Sequence, residues 1–166
     1  MAVSQGVIEL VASAQANARA SQERISDIMS REGGVDDVEA LRAATVELEL
    51  TAVDIFSIFE VRMQHHFKRG PFSRKLVTLL VDSGQADLAD RIHQYYLAIN
   101  VLKHGKGESY RELMREPNSL IVVRPAQDTI RDDAHRPVGL VDVTDPSFFA
   151  GLTEAIVEAY RFLEKR

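Results

Sequence analysis

Two of the chain's five histidines, His93 and His104, lie on one apolar stretch, QADLADRIHQYYLAINVLKH (85–104). Histidine is the side chain that gains or loses a proton near neutral pH. On a helix at about 100° per residue, Asn100 falls within about 20° of His93, and His104 about 40° further round. Tyr96 shares that face, which is distinct from the apolar stripe Leu88, Ile92, Tyr95, Ile99 and Leu102. Asn100 can hydrogen-bond an imidazole and set its tautomer, leaving His104 or His93 as an acid or base. Lys103 and Lys106 flank the helix end and suit an anion. Asn and His near a helix C-terminus also serve as caps for unpaired carbonyls, a purely structural use of the same residues.

A second chemistry-bearing stretch is RMQHHFKRGPFSRK (62–75), with five Lys and Arg residues and no acid. Lys68, Arg69, Arg74 and Lys75 stand on both sides of a Gly-Pro turn, a spacing that can grip a phosphate backbone. Phe67 and Phe72 are placed either to stack on bases or to staple two helices together. Metal chemistry is not expected. His65 and His66 are adjacent, so on an α-helix they point about 100° apart, and there is no HExxH and no His pair at i,i+4. There is also no GxGxxG, P-loop or GxSxG, and no cofactor is expected.

Long helices must position these groups. Val7, Val11, Ala14, Ala18, Ser21, Ile25 and Ile28 alternate spacings of four and three, as do Val38, Leu41, Thr45, Leu48, Ala52, Ile55 and Phe59. Both are seams of an antiparallel helical hairpin joined at EGGVDD. Val46, Leu50, Val53, Phe56 and Val61 add apolar surface to the second helix, which is therefore central or pairs with another chain. Three capping signals are legible: Asp36 with Glu39, Ser73, and Ser109 with Glu112. Pro117 should close the short helix that Ser109 opens. SLIVVR (119–124) and VGLVDV (138–143) are β-branched runs that predict a small β-hairpin around the polar segment 125–136. Asp145 and Pro146 then open a final helix buried through Phe148, Leu152, Ala155, Ala159 and Phe162. The expected architecture is mainly α: one antiparallel helical-bundle domain over 1–166, with a β-hairpin insertion at about 119–143.

Composition narrows the function. The chain has 166 residues, 45% hydrophobic, with no cysteine, so disulfides and thiolate chemistry are excluded. The start, MAVSQGVIEL, lacks the features of a signal peptide, and no apolar run is long enough to span a bilayer. A cytoplasmic protein without membrane contact is expected. The net charge of -5 is unevenly spread: residues 1–61 carry four arginines against eleven acids, and residues 62–115 carry ten Lys and Arg against five acids. A basic middle in an acidic chain predicts a local anion-binding face.

The segment INVLKHGKGESYREL (99–113) resembles the HEPN superfamily of helical-bundle proteins through Asn100, three intervening residues, His104 and Gly105. The resemblance implies an RNA-binding protein or a metal-independent endoribonuclease of a toxin–antitoxin or stress-response system. It implies His104, Asn100 and His93 as catalytic candidates. It also implies a homodimer and an antitoxin-type protein partner. The family's ribonuclease signature is Arg, four to six intervening residues, then His. Leu97, Ala98 and Ile99 occupy those positions here, so a non-catalytic homodimeric interaction or ligand-binding module is the alternative.

Overall fold

The seam of small and apolar residues in the first helix is buried as its spacing predicts. In the computed structural model, which describes residues 6–31, 33–116, 120–125, 130–131 and 137–166, helix α1 spans Val7–Met29 and buries Val7, Val11, Ala14, Ala18, Ser21, Ile25 and Ile28. Helix α2, Val35–Met63, packs along it. The small side chains of Ala14, Ala18 and Ser21 let the two backbones approach closely. Helix α2 ends at Met63, and residues 64–66 tighten into a 3₁₀ turn. Helix α3 is Phe72–Asp82, α4 Ala86–His104, α5 Glu108–Arg115 and α6 Pro146–Glu164.

The chain is a mainly α-helical bundle, and α4 is its central element. It packs against α2, α3, α5 and α6 and is buried nearly all round, through Leu88, Ile92, Tyr95, Ile99 and Leu102 and also Leu97, Ala98 and Val101. A helix apolar on every side belongs inside. By contrast α2, expected to be central or paired, leaves Leu50 42% and Val61 78% exposed. Helix α6 closes the bundle against α1, α2 and α4. Gly151 makes its approach to α4 possible: a Cβ there would stand 2.1 Å from the Tyr95 hydroxyl oxygen.

The β-hairpin expected over 119–143 is not formed. The runs 119–124 and 138–143 build no ladder with each other among the described residues; they meet in an isolated bridge, Val123 with Val141. Two backbone hydrogen bonds flank it, from Arg124 N to Leu140 O and from Asp142 N to Val122 O. Regular pairing is confined to two residues a side further out, Ile130–Arg131 with Pro137–Val138. The physical reason lies in side chains that interrupt an extended pair. Gly139 takes a positive φ of 94°. Arg124 donates to the Gly139 carbonyl and pairs with Asp142 at 3.0 Å, and Asp142 turns back on Thr144. Apolar residues of both runs serve the helical core instead, with Ile121, Leu140, Val141 and Val143 all buried in it. Pro117, His135 and most of the segment 125–136 lie outside the described residues.

None of the three capping signals is used as expected. Helix α2 begins at Val35 after Gly34, which leaves Asp36 inside the first turn. Helix α3 begins at Phe72 after Pro71, and the Ser73 hydroxyl donates to Glu60 on α2 at 3.1 Å. Ser109 and Glu112 also leave the helix terminus, for partners described below. Asp145 does cap α6, its carboxylate accepting from the Ser147 N–H at 2.9 Å.

Candidate functional site

Helix α5 folds back on α4 and supplies the partners that the polar face of α4 requires. His93 Nε2 lies 2.8 Å from Glu112 Oε2, and the Asn100 amide donates to Ser109 Oγ at 3.3 Å. Asn100 is thus engaged by α5 and does not orient His104. In the neutral His93 ring, Nε2 carries the proton toward the carboxylate and Nδ1 is left as the acceptor. The ring stacks on Tyr96, with centroids 6.5 Å apart and planes 28° from parallel.

Beside this dyad lies a cleft of about 460 Å³ between α3, α4 and α5. Arg74 and Thr78 line it from α3, His93 and Tyr96 from α4, and Ser109 and Glu112 from α5. Arg74 has no ion-pair partner among the described residues. The cleft therefore joins an imidazole held by a carboxylate, an unpaired guanidinium and a half-exposed aromatic ring. Glu108 stands at its edge as a second carboxylate.

The other predicted site residues fall elsewhere. His104 is exposed at the end of α4, makes no hydrogen bond among the described residues, and does not line the cleft with Arg74. No guanidinium hydrogen-bonds to it among those residues. Arg91 is tied to Glu158 on α6 at 2.5 Å. Lys103 sits near Glu60, whose carboxyl burial pushes above its ordinary value of 4.5; the Ser73 hydrogen bond and the Lys103 charge act against that rise. Lys106 is exposed in the turn before α5.

Lys68, Arg69 and Lys75 line a separate basin on the other side of α3, also of about 460 Å³, together with His66 and Arg166. Lys75 lies across Gly70, where a Cβ would meet its Cε at 2.9 Å. The basic residues of the Gly-Pro turn are thus divided between two cavities, Arg74 in the cleft and Lys68, Arg69 and Lys75 in the basin. Phe67 and Phe72 take the stapling role: their rings meet edge to face at 5.6 Å, and Phe72 also meets Phe59 at 5.3 Å.

Glu112 is the functional candidate that sequence reasoning assigned to another task. Its place three residues after Ser109 is the signature of a capping box, which masks its pairing with a histidine nineteen residues earlier. Arg166, the fifth cation of the basin and elbow, carries no local motif at all.

Compared with protein-family models, with curated proteins and with solved structures, the chain matches none. Among the described residues, no helix is long and apolar enough to cross a membrane.

Proposed function

We propose that this chain is a HEPN-like, cytoplasmic RNA-binding protein in which a single RNA strand crosses helix α3. The observation that carries this reading is the divergent placement of two successive residues of α3, Arg74 lining the cleft and Lys75 the basin. A strand laid over the first turn of α3 meets cations on both sides. Lys68, Arg69, Lys75 and Arg166 hold phosphates in the basin. At the cleft Arg74 holds the next phosphate, with a base against Tyr96 and its ribose near His93. Stacking on one aromatic ring contributes about 1–3 kcal/mol per base.

This arrangement also supports cleavage without a metal. His93 Nδ1 accepts the proton of a ribose 2′-hydroxyl, and Glu112 stabilises the imidazolium that forms. The 2′-oxygen bonds to phosphorus as the P–O5′ bond breaks, and the leaving 5′-oxygen takes a proton from water, so the products are a 2′,3′-cyclic phosphate and a 5′-hydroxyl. Arg74 stabilises the charge that develops on the phosphoryl oxygens. Among the three catalytic candidates the geometry favours His93; Asn100 positions α5, and His104 stands apart. The test is incubation of single-stranded RNA with excess EDTA. Cyclic-phosphate products that require the 2′-hydroxyl and vanish in His93→Ala support the ribonuclease. Intact RNA after prolonged incubation leaves the binding function alone.

A second reading has its own observation. Leu10, Ile58 and Val61 line an apolar depression between α1 and α2, which suits a second copy of the chain or an antitoxin-type partner. Sedimentation distinguishes it: a dimer lost in Val61→Glu supports a homodimeric module, and a monomeric wild type removes the self-pairing form of it.

A further inference from the structure

His65 and His66 close a 3₁₀ turn, residues 64–66, that follows α2, and their side chains bend to bring the two rings side by side. The centroids lie 4.3 Å apart with planes 35° from parallel. Glu164, in the last turn of α6, reaches them from the far end of the chain, and one ligand atom from each of the three lies within 4.8 Å of the others. His66 Nε2 and Glu164 Oε2 are 3.2 Å apart. Two ligand atoms bound to one tetrahedral ion at 2.0–2.1 Å stand about 3.3 Å apart. His65 Nδ1 lies 2.9 Å from the Arg62 carbonyl oxygen. That contact fixes the proton on Nδ1 and leaves Nε2 as a lone-pair donor, the outer hydrogen bond that metal-binding histidines almost always make.

We infer that His65, His66 and Glu164 form a site for one divalent transition-metal ion, with Zn²⁺ the best-suited class. Two imidazole nitrogens and one carboxylate are a zinc-type donor set. Ca²⁺ and Mg²⁺ prefer all-oxygen shells. The neighbouring cations Lys68, Arg69, Lys75 and Arg166 oppose purely electrostatic cation binding, which favours an ion held by imidazole bonds. They also favour an anion, such as a phosphate oxygen, at the ion's fourth position. The ion links the end of α2 to the end of α6, two elements far apart in sequence. This inference is independent of cleavage in the cleft, and its test uses no RNA.

The experiment is equilibrium dialysis of EDTA-stripped full-length chain against Zn²⁺ alone near neutral pH, paired with thermal unfolding. One Zn²⁺ per chain and a higher melting temperature with Zn²⁺ are expected. His65→Ala and Glu164→Gln should each weaken binding by about tenfold or more, while His104→Ala should retain it. Both ligand positions are exposed enough for substitution without loss of the fold, which thermal unfolding of the metal-free variants checks. No retained Zn²⁺, unchanged affinity in the His65→Ala and Glu164→Gln variants, or an equal loss in His104→Ala would overturn the site.

Discussion

At the scale of single residues, the strongest prediction concerns His93 and Glu112. If the imidazole transfers the proton, His93→Ala lowers the rate of RNA cleavage by about 10²–10⁴-fold, the usual worth of a general base. Glu112→Gln keeps a hydrogen-bond acceptor but removes the charge, so it lowers the rate with little effect on RNA affinity. Single-turnover cleavage with labelled RNA separates the two effects; equal rates in wild type and His93→Ala contradict the assignment. Glu60 allows a prediction about pH. Burial raises its carboxyl above 4.5 in the fold, so the unfolded chain loses that proton first as pH rises. The stabilising contribution of the neutral form is complete below 4.5 and is lost as pH climbs through the folded value. Glu60→Gln removes this loss, and its melting temperature should vary less with pH from 4.5 upward than that of the wild type.

At the scale of elements, helix contacts set the consequences. Gly151→Ala drives a methyl into the Tyr95 hydroxyl, and Tyr95 is only 1% exposed. Overpacking of this kind costs about 1–3 kcal/mol. Tyr95→Phe in the same chain removes the closest atom and should restore part of the loss, read from urea unfolding. A Gly151→Ala variant as stable as the wild type would show that α4 and α6 are not so close. The elements also show what a sequence can reveal. The α1 seam and the α4 stripe were legible because helical spacing and burial coincide there. The caps at Ser73, Ser109 and Glu112 were misassigned because each side chain found a partner from another helix, which local pattern does not record. The hairpin failed for a related reason: β-branched residues at 121, 141 and 143 signal burial as strongly as they signal strand. Adjacent histidines at 65 and 66 diverge on any regular helix, so their convergence depends on side-chain rotamers and on Glu164 from the far end of the chain, neither of which local sequence records.

At the scale of the whole molecule, the question is whether an acidic chain uses its basic middle to hold RNA. Half of the expected site was legible as composition: the elbow residues Lys68, Arg69, Arg74 and Lys75 are cationic, and the fold sorts them onto two sides of α3. The rest, Glu112 and Arg166, joins only through tertiary folding. With Lys68, Arg69, Arg74, Lys75 and Arg166 each meeting a phosphate, the logarithm of affinity falls with the logarithm of salt concentration with a slope of about -3.5 for a single strand. The most direct test is fluorescence anisotropy of a labelled single-stranded RNA titrated with the chain over a range of salt. The account predicts that slope in the wild type and a slope of about -1.4 in the Lys68→Ala, Arg69→Ala, Lys75→Ala triple variant. RNA that fails to bind at low salt, or binds both proteins with the same slope, contradicts it.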